Sequence, residues 1–390
     1  MRDLVGGIAI YGRGCHHLRL LMPREHPRVL STLSLLIVWS VLCDAAPDYY
    51  GELERCERLM SRFRIGVDVS ENEADPRQFL ECAVLAEKIG LDSIWFGDHF
   101  MPWNHTGGKS AFVWSLMASS LERTERISIG PDVTSPIGGR FHPAIVAQAA
   151  ATLDNMYPGR FMLGVGSGEG VNEAVFFQEQ KGSWPRWKER IERVAEATTL
   201  MRELWARQEY FSFKGKYFSV SNVLLYTKPK TEIPIYFSAT GPKSASYAGR
   251  YGDHLITISP PNRCRDLIFP KFNEAISAKG KNPDDAEKMV LLNFMLGDPE
   301  ESLTKLKRGP AGYLVEGSWD QADPRQIERL CSTLDDAVIK ENIPLCPTVD
   351  DLIEVVKSYI KVGTDHVVFG TGPSPDLIKL IGDQVVPAFR

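Results

Sequence analysis

Asp98, His99 and Trp103 follow directly on an apolar run, Ile94-Trp95-Phe96. An acid, an imidazole and an indole leaving one strand end together could take a proton from a bound molecule and pack against it. The same stretch also fits a packed strand-to-helix corner in which His99 only caps a backbone group. Further along, Gly164-Val165-Gly166-Ser167-Gly168-Glu169 sets a carboxyl among glycines. Bare backbone there lets amides approach a flat or anionic group, although a tight turn uses the same residues. Glu169 in this position is read as facing a site. The segment Ser238-Ala239-Thr240-Gly241-Pro242-Lys243 opens a helix. Exposed amides beside a lysine can hold an anion, or Thr240 can serve as an ordinary cap.

Other chemistries find no pattern. There is no His-Glu-x-x-His and no Cys-x-x-Cys, so no metal set is expected. Gly166-Ser167-Gly168 lacks the spacing of a serine nucleophile's elbow. His105 reads as a loop residue, and His142 and His254 as structural. Trp187, Trp205 and Tyr217 read as core packing. With a formal net charge of -5 and scattered basic residues, the chain shows no footprint for nucleic acid. Its seven cysteines are odd in number and widely spaced, which fits a reducing cytoplasm.

The elements that must position these residues alternate. Strand signals fall at 65–69, 93–96, 127–133, 161–166, 233–238, 254–258, 289–296 and 366–370, and each is followed by a helical segment. Eight strand–helix units predict an α/β fold, a closed (β/α)8 TIM barrel with insertions. An open doubly wound sheet is the alternative, but Ser70-Glu71-Asn72-Glu73 stands where a dinucleotide-binding start would have glycines. Two insertions are expected, a hairpin around Lys214-Gly215-Lys216 and a long, poorly periodic stretch from 301 to 347. In a barrel the carboxyl ends of the strands carry the chemistry, which brings Asp98, His99, Trp103, Asp132, Val133, Glu169 and the 238–241 turn to one mouth.

Residues 1–60 fall outside this repeat, and 61–390 form the barrel domain. The apolar run from Leu33 to Leu42 is too short for a membrane span and has the length of a signal-peptide core, which would make an exported form. It lacks a clean cleavage site and lies far from Met1. The preferred reading starts translation at Met60, leaving 1–60 untranslated or disordered.

Together these motifs resemble the luciferase-like superfamily, and more narrowly its branch of dehydrogenases that use the deazaflavin coenzyme F(420). The similarity runs from about 63 to 390. It is carried by Gly97-Asp98-His99-Phe100-x-Pro102-Trp103-x-His105, Phe141-x-Pro143-Ala144-x-Val146-Ala147-Gln148, the Gly164 to Glu173 loop, and Tyr247-Ala248-Gly249-Arg250-Tyr251-Gly252-Asp253. The resemblance implies hydride transfer from an alcohol carbon, of a secondary alcohol or of a sugar phosphate such as glucose 6-phosphate, to F(420). An FMN-dependent monooxygenase on the same barrel is the alternative. The resemblance to the dehydrogenases implies a catalytic set of His99, Trp103 and Glu169, with His99 as base and Glu169 as proton donor. Asp98, Asp132, Val133, Ser167, Gly168, Ser238, Ala239, Thr240 and Gly241 would hold the cofactor, with a non-proline cis peptide at Asp132–Val133. Arg263 and Lys340 are the candidates for a substrate phosphate. The resemblance also implies a homodimer.

Overall fold

The computed structural model describes residues 9–11, 19–21, 63–70, 74–177 and 184–390. The chain divides into two units, Met1–Ser61 and Arg62–Arg390. In the first, Ala9–Tyr11 pairs antiparallel with Arg19–Leu21. The apolar run at 33–42 and the proposed start at Met60 lie outside the described residues.

The second unit is the barrel. Its strands are β1 (Arg64–Asp68), β2 (Ser93–Phe96), β3 (Ser128–Pro131), β4 (Leu163–Val165), β5 (Ile235–Ser238), β6 (His254–Thr257), β7 (Lys288–Leu292) and β8 (His366–Gly370). They pair in parallel in the order β3-β2-β1-β8-β7-β6-β5-β4. Parallel bridges Ile129–Phe161 and Thr134–Val165 join β3 to β4 and close the ring. That closure overturns the open-sheet alternative. Gly164 permits it, because a Cβ there would sit 2.0 Å from the Pro131 carbonyl oxygen.

The strands are buried on both faces, hence their unbroken apolar runs. Trp95, Met162, Tyr236, Ile256, Met289 and Val368 fill the cylinder, with Trp95 edge-on to Tyr236 at 5.2 Å. The opposite faces pack beneath the helices. Below the apolar layers lies a polar floor. His366 Nε2 is 2.7 Å from Ser93 Oγ, and its Nδ1 is 2.5 Å from Glu287, which also pairs with Arg64 at 3.1 Å. Ser93, Glu287 and His366 thus each have a partner in this layer, as a dry interior demands. His254 belongs to this end and accepts from the Glu287 amide, and His142 caps the third helix by accepting from Ala144 N–H. Both are structural, as expected.

The outer helices that matter for the site are α1 (Pro76–Lys88), α2 (Val113–Glu122), α3 (Pro143–Met156), α4 (Trp187–Ala206) and α5 (Pro242–Tyr251). Three of them begin with proline, which suits the first turn. Gly90 follows α1 with φ +84°, a conformation glycine adopts without strain. The expected hairpin is formed by Phe211–Lys214 and Ser219–Val223. The expected seventh strand is split. After Leu292 the chain leaves the barrel, and Met295–Leu296 pairs instead with Leu345–Cys346 at the two ends of the long insertion. That insertion has its own small core around Leu303, Leu306, Ile339 and Ile343.

Candidate active site

A cavity of about 450 Å³ opens at the carboxyl ends of the strands. Its floor is built by the loops after β1, β2, β3 and β4. The apolar strands end there and release polar residues that could not be buried unpaired further down. Asp98, His99, Trp103, Asp132, Val133, Ser167, Gly168, Glu169, Ser238 and Thr240 all line it. Ala239 is buried behind this wall and Gly241 lies just outside it as the N-cap of α5. Thr240 therefore is not the cap. Of the two phosphate candidates, Arg263 sits exposed at the rim, with Nη2 3.4 Å from the Thr240 carbonyl oxygen. Lys340 is exposed on the helix Asp336–Asn342 in the insertion and does not line the cavity. Trp187, expected in the core, is instead 38% exposed and lines the cavity. It opens α4, whose first turn reaches the mouth rather than the barrel wall.

The centre of the site is an amide that the motifs did not mark as functional. Asn172 Oδ1 accepts from the Phe100 N–H at 2.8 Å, which fixes the side chain's orientation. Its Nδ2 then faces His99 Nδ1 at 3.1 Å and Glu169 Oε2 at 2.9 Å. The neutral imidazole so held accepts at Nδ1 and carries its hydrogen on Nε2. His99 Nδ1 and Glu169 Oε2 are 3.8 Å apart. Burial pushes the His99 imidazole down to about 4, aided by the Arg140 guanidinium and opposed by the Asn172 hydrogen bond. Burial, with the Glu173 carboxylate nearby, pushes Glu169 up to about 8. At neutral pH the pair is an uncharged base beside a protonated acid, the separation of values that acid–base sites require.

A second layer holds the first. Asp98 is buried and ion-paired with Arg140, and its Oδ2 accepts from the Thr134 hydroxyl at 2.6 Å. Arg140 also donates to the Asp98 carbonyl at 3.0 Å, so the strand end carrying His99 is pinned through its neighbour. Burial pushes the Asp98 carboxyl up, and Arg140 and Thr134 pull it back. Glu173 accepts from the Arg140 amide at 3.1 Å and is pushed up by burial to about 7. On the floor, the Ser70 hydroxyl bonds Asp68 and reaches Asp132 Oδ1 at 3.3 Å. Burial and the neighbouring Asp68 carboxylate drive Asp132 well above the usual carboxylate range.

The expected cis peptide is present at Asp132–Val133. It turns Val133 toward Gly166, where a Cβ would come within 2.4 Å of Val133 Cγ2. Gly168, at φ +77°, keeps a narrow approach open; a Cβ there would meet Glu173 Cγ at 3.0 Å. Beside them Asp132 Oδ2 is buried without a hydrogen-bond partner. Glycine walls, one protruding valine and one unsatisfied polar atom fit a flat ring with a polar edge. Among the described residues no group of three or more His, Cys, Asp or Glu is placed to hold a metal.

The roof comes from the long insertion, which the motifs left without a role. Pro310, Tyr313, Trp319 and Asp320 line the cavity. Trp319 stands edge-on to Trp103 at 5.4 Å, and Asn293 Nδ2 lies 3.2 Å from the Tyr313 hydroxyl. Arg190 pairs with Asp320 at 2.8 Å and ties the roof to α4.

A closed barrel with a paired acid and base at the carboxyl ends of its strands is a (β/α)8 enzyme with its site at the mouth. The chain belongs to the luciferase-like monooxygenase family, whose model matches residues 59–338. The F(420)-dependent glucose-6-phosphate dehydrogenase of Rhodococcus erythropolis is 37% identical over 340 residues, which is 85% of this chain and 99% of that protein. The enzyme of the same name from Mycobacterium avium is 36% identical over 339 residues, 85% and 99%. Among solved structures, an F(420)-dependent secondary alcohol dehydrogenase in complex with an F(420)-acetone adduct superposes with a TM-score of 0.78 at 36% identity, covering 84% of this chain and 99% of its own. The F(420)-dependent tetrahydromethanopterin reductase of Methanopyrus kandleri shares the fold at 19% identity, with a TM-score of 0.64, covering 84% and 99%. The expected family and fold are borne out.

Proposed function

We propose that this chain is an oxidoreductase that moves a hydride from an alcohol carbon to coenzyme F(420). The observation that carries the reading is the bridge His99–Asn172–Glu169 in a cavity with glycine walls into which Val133 protrudes. Similarity to F(420)-dependent dehydrogenases over most of the chain supports it. Val133, Ser167, Gly168 and the Ser238–Thr240 stretch would hold the ring, with Asp132 and Glu169 toward its polar edges. When bound, a deazaflavin supplies a carbon that accepts hydride and does not activate oxygen.

The chain's own residues manage the proton. His99 is uncharged at neutral pH and receives the hydroxyl proton at Nδ1, where the Asn172 amide gives way. The imidazolium so formed faces Glu169 across 3.8 Å. Glu169, holding its proton up to about pH 8, is the acid for negative charge that develops at the ring's edge. Trp103 and Trp319 cover the reacting carbon and exclude water. The same reading includes a cytoplasmic homodimer; no described helix is long and apolar enough to cross a membrane.

The test is a titration of purified protein with deazaflavin and with FMN, followed by alcohol-dependent bleaching of the deazaflavin. Saturable deazaflavin binding and bleaching are expected. Tight FMN binding with oxygen consumption on reduction would replace this reading with the monooxygenase one.

A further inference from the structure

The roof rests on the turn that carries the acid. Gly170 follows Glu169 and opens the π-helical turn Gly170–Ala174, which also holds Asn172 and Glu173. A Cβ on Gly170 would sit 2.5 Å from the Gln321 carbonyl oxygen and 2.6 Å from the Asp320 carbonyl carbon. The roof's backbone therefore lies directly against this turn. Trp319, one residue before Asp320, stands edge-on to Trp103. One short stretch, Trp319 to Gln321, thus touches both the loop of the acid and the loop of the indole.

The Asp320 side chain holds that stretch down. Its Oδ1 accepts from Arg190 Nη1 and from the Trp184 indole N–H, each at 2.8 Å. The partners are unequally placed: the Asp320 side chain is 62% exposed and that of Arg190 only 3%. Arg190 Nη1 also donates to the Pro185 carbonyl oxygen at 2.7 Å, while its Nε is buried without a hydrogen-bond partner. Among the described residues Asp320 is the only carboxylate paired with this guanidinium. A buried cation with one anionic partner retains it, because losing it leaves the charge uncompensated. The insertion is fastened elsewhere by Glu328, which accepts from the His105 and Thr106 amides at 3.0 Å each. That second clamp lies on the indole's loop, not on the acid's.

We propose that Asp320 is a positioning residue for the acid: through Arg190 and Trp184 it seats the roof on Gly170 and so limits the access of water to Glu169. Asp320 handles no proton itself. Releasing it would hydrate the Glu169 carboxyl, which would then ionise at lower pH. The role of Glu169 as acid rests on the dehydrogenase reading; its seating beneath the roof does not.

The experiment uses the full chain and Asp320→Asn, which keeps the shape and removes the charge. The first measurement needs neither cofactor nor substrate. Urea unfolding at pH 5.5 and pH 8.5 gives the pH-dependent part of the stability that Glu169→Gln removes, in the parent and in the Asp320→Asn background; that part should fall to about half or less when Asp320 is replaced. Gly170→Ala pushes the roof off the turn with Asp320 and Arg190 both present and should give the same fall, so it carries the test if Asp320→Asn does not fold. Glu328→Gln should leave that part in place. The second measurement is the pH profile of deazaflavin-dependent kcat/KM. Its basic limb, set by Glu169 at about 8, should move down by roughly one pH unit in Asp320→Asn and in Gly170→Ala and stay put in Glu328→Gln. An unchanged pH-dependent part in Asp320→Asn and Gly170→Ala overturns the proposal. An equal fall in Glu328→Gln also overturns it, because any loosening of the roof would then suffice. If the stability arm behaves as expected but the parent reduces no deazaflavin with any alcohol, the dehydrogenase reading fails and the seating of Glu169 by Asp320 stands.

Discussion

Replacing Glu169 by glutamine probes the site through stability alone, without substrate or cofactor. The folded chain keeps the Glu169 proton to about pH 8, whereas an exposed glutamate releases it near 4.5. The raised value means that the folded state is favoured below pH 4.5 and loses that advantage as pH rises through 8. Linkage puts the loss accumulated by pH 5.5 at roughly 1.4 kcal/mol and by pH 8.5 at roughly 4.6 kcal/mol, a difference of about 3 kcal/mol. The side chain is 21% exposed at the mouth, so some screening applies and about 2–3 kcal/mol is the expected swing. Glutamine has nearly the same shape, can still accept from Asn172, and does not titrate. The stability advantage of Glu169→Gln over the parent should therefore widen by that amount between pH 5.5 and pH 8.5. Urea unfolding of both chains at the two pH values, with equal m-values, reads the difference directly. A stability difference that stays flat across this range would show that Glu169 is not held protonated, and the acid role would go with it.

Four further outcomes follow from the same geometry. His99→Ala should lower turnover by about 10²–10⁴-fold while leaving deazaflavin affinity intact, as removal of a general base does; unchanged turnover in a stopped-flow assay would exclude His99 from proton transfer. Asn172→Asp places a carboxylate against His99 Nδ1, which favours the imidazolium, so the acid limb of kcat/KM should move up from about 4 toward neutrality. Arg140→Ala leaves Asp98 buried without its partner and should cost about 3–5 kcal/mol of unfolding free energy, measured by urea titration. Gly168→Ala forces a side chain into φ +77° and against Glu173; a loss of about 1–2 kcal/mol, with weakened deazaflavin binding by fluorescence, is the expected result.

Much of this protein was legible in its sequence because two local signals are strong. Strands buried on both faces must be continuous apolar runs, so all eight stand out along the chain. Strand ends in a barrel must carry the chemistry, so the sequence alone brings Asp98, His99, Trp103, Asp132 and Glu169 to one mouth. The long insertion's helical pieces were visible too. What the sequence could not show was which side chains face each other across chain separations too long for any motif to span. Arg140 meets Asp98 from another loop, and Trp319 meets Trp103 from the insertion after β7. Asn172 is only three residues from Glu169, yet its role depends on the Phe100 amide, which fixes its orientation. Protonation states belong to the same class, because burial and opposing charge are properties of the assembled cavity. The residue types with their order along the chain determined the fold and the floor of the site. Closure of the ring and the packing of the long insertion over its mouth decided the roof, the partners of each carboxyl, and which group keeps its proton at neutral pH.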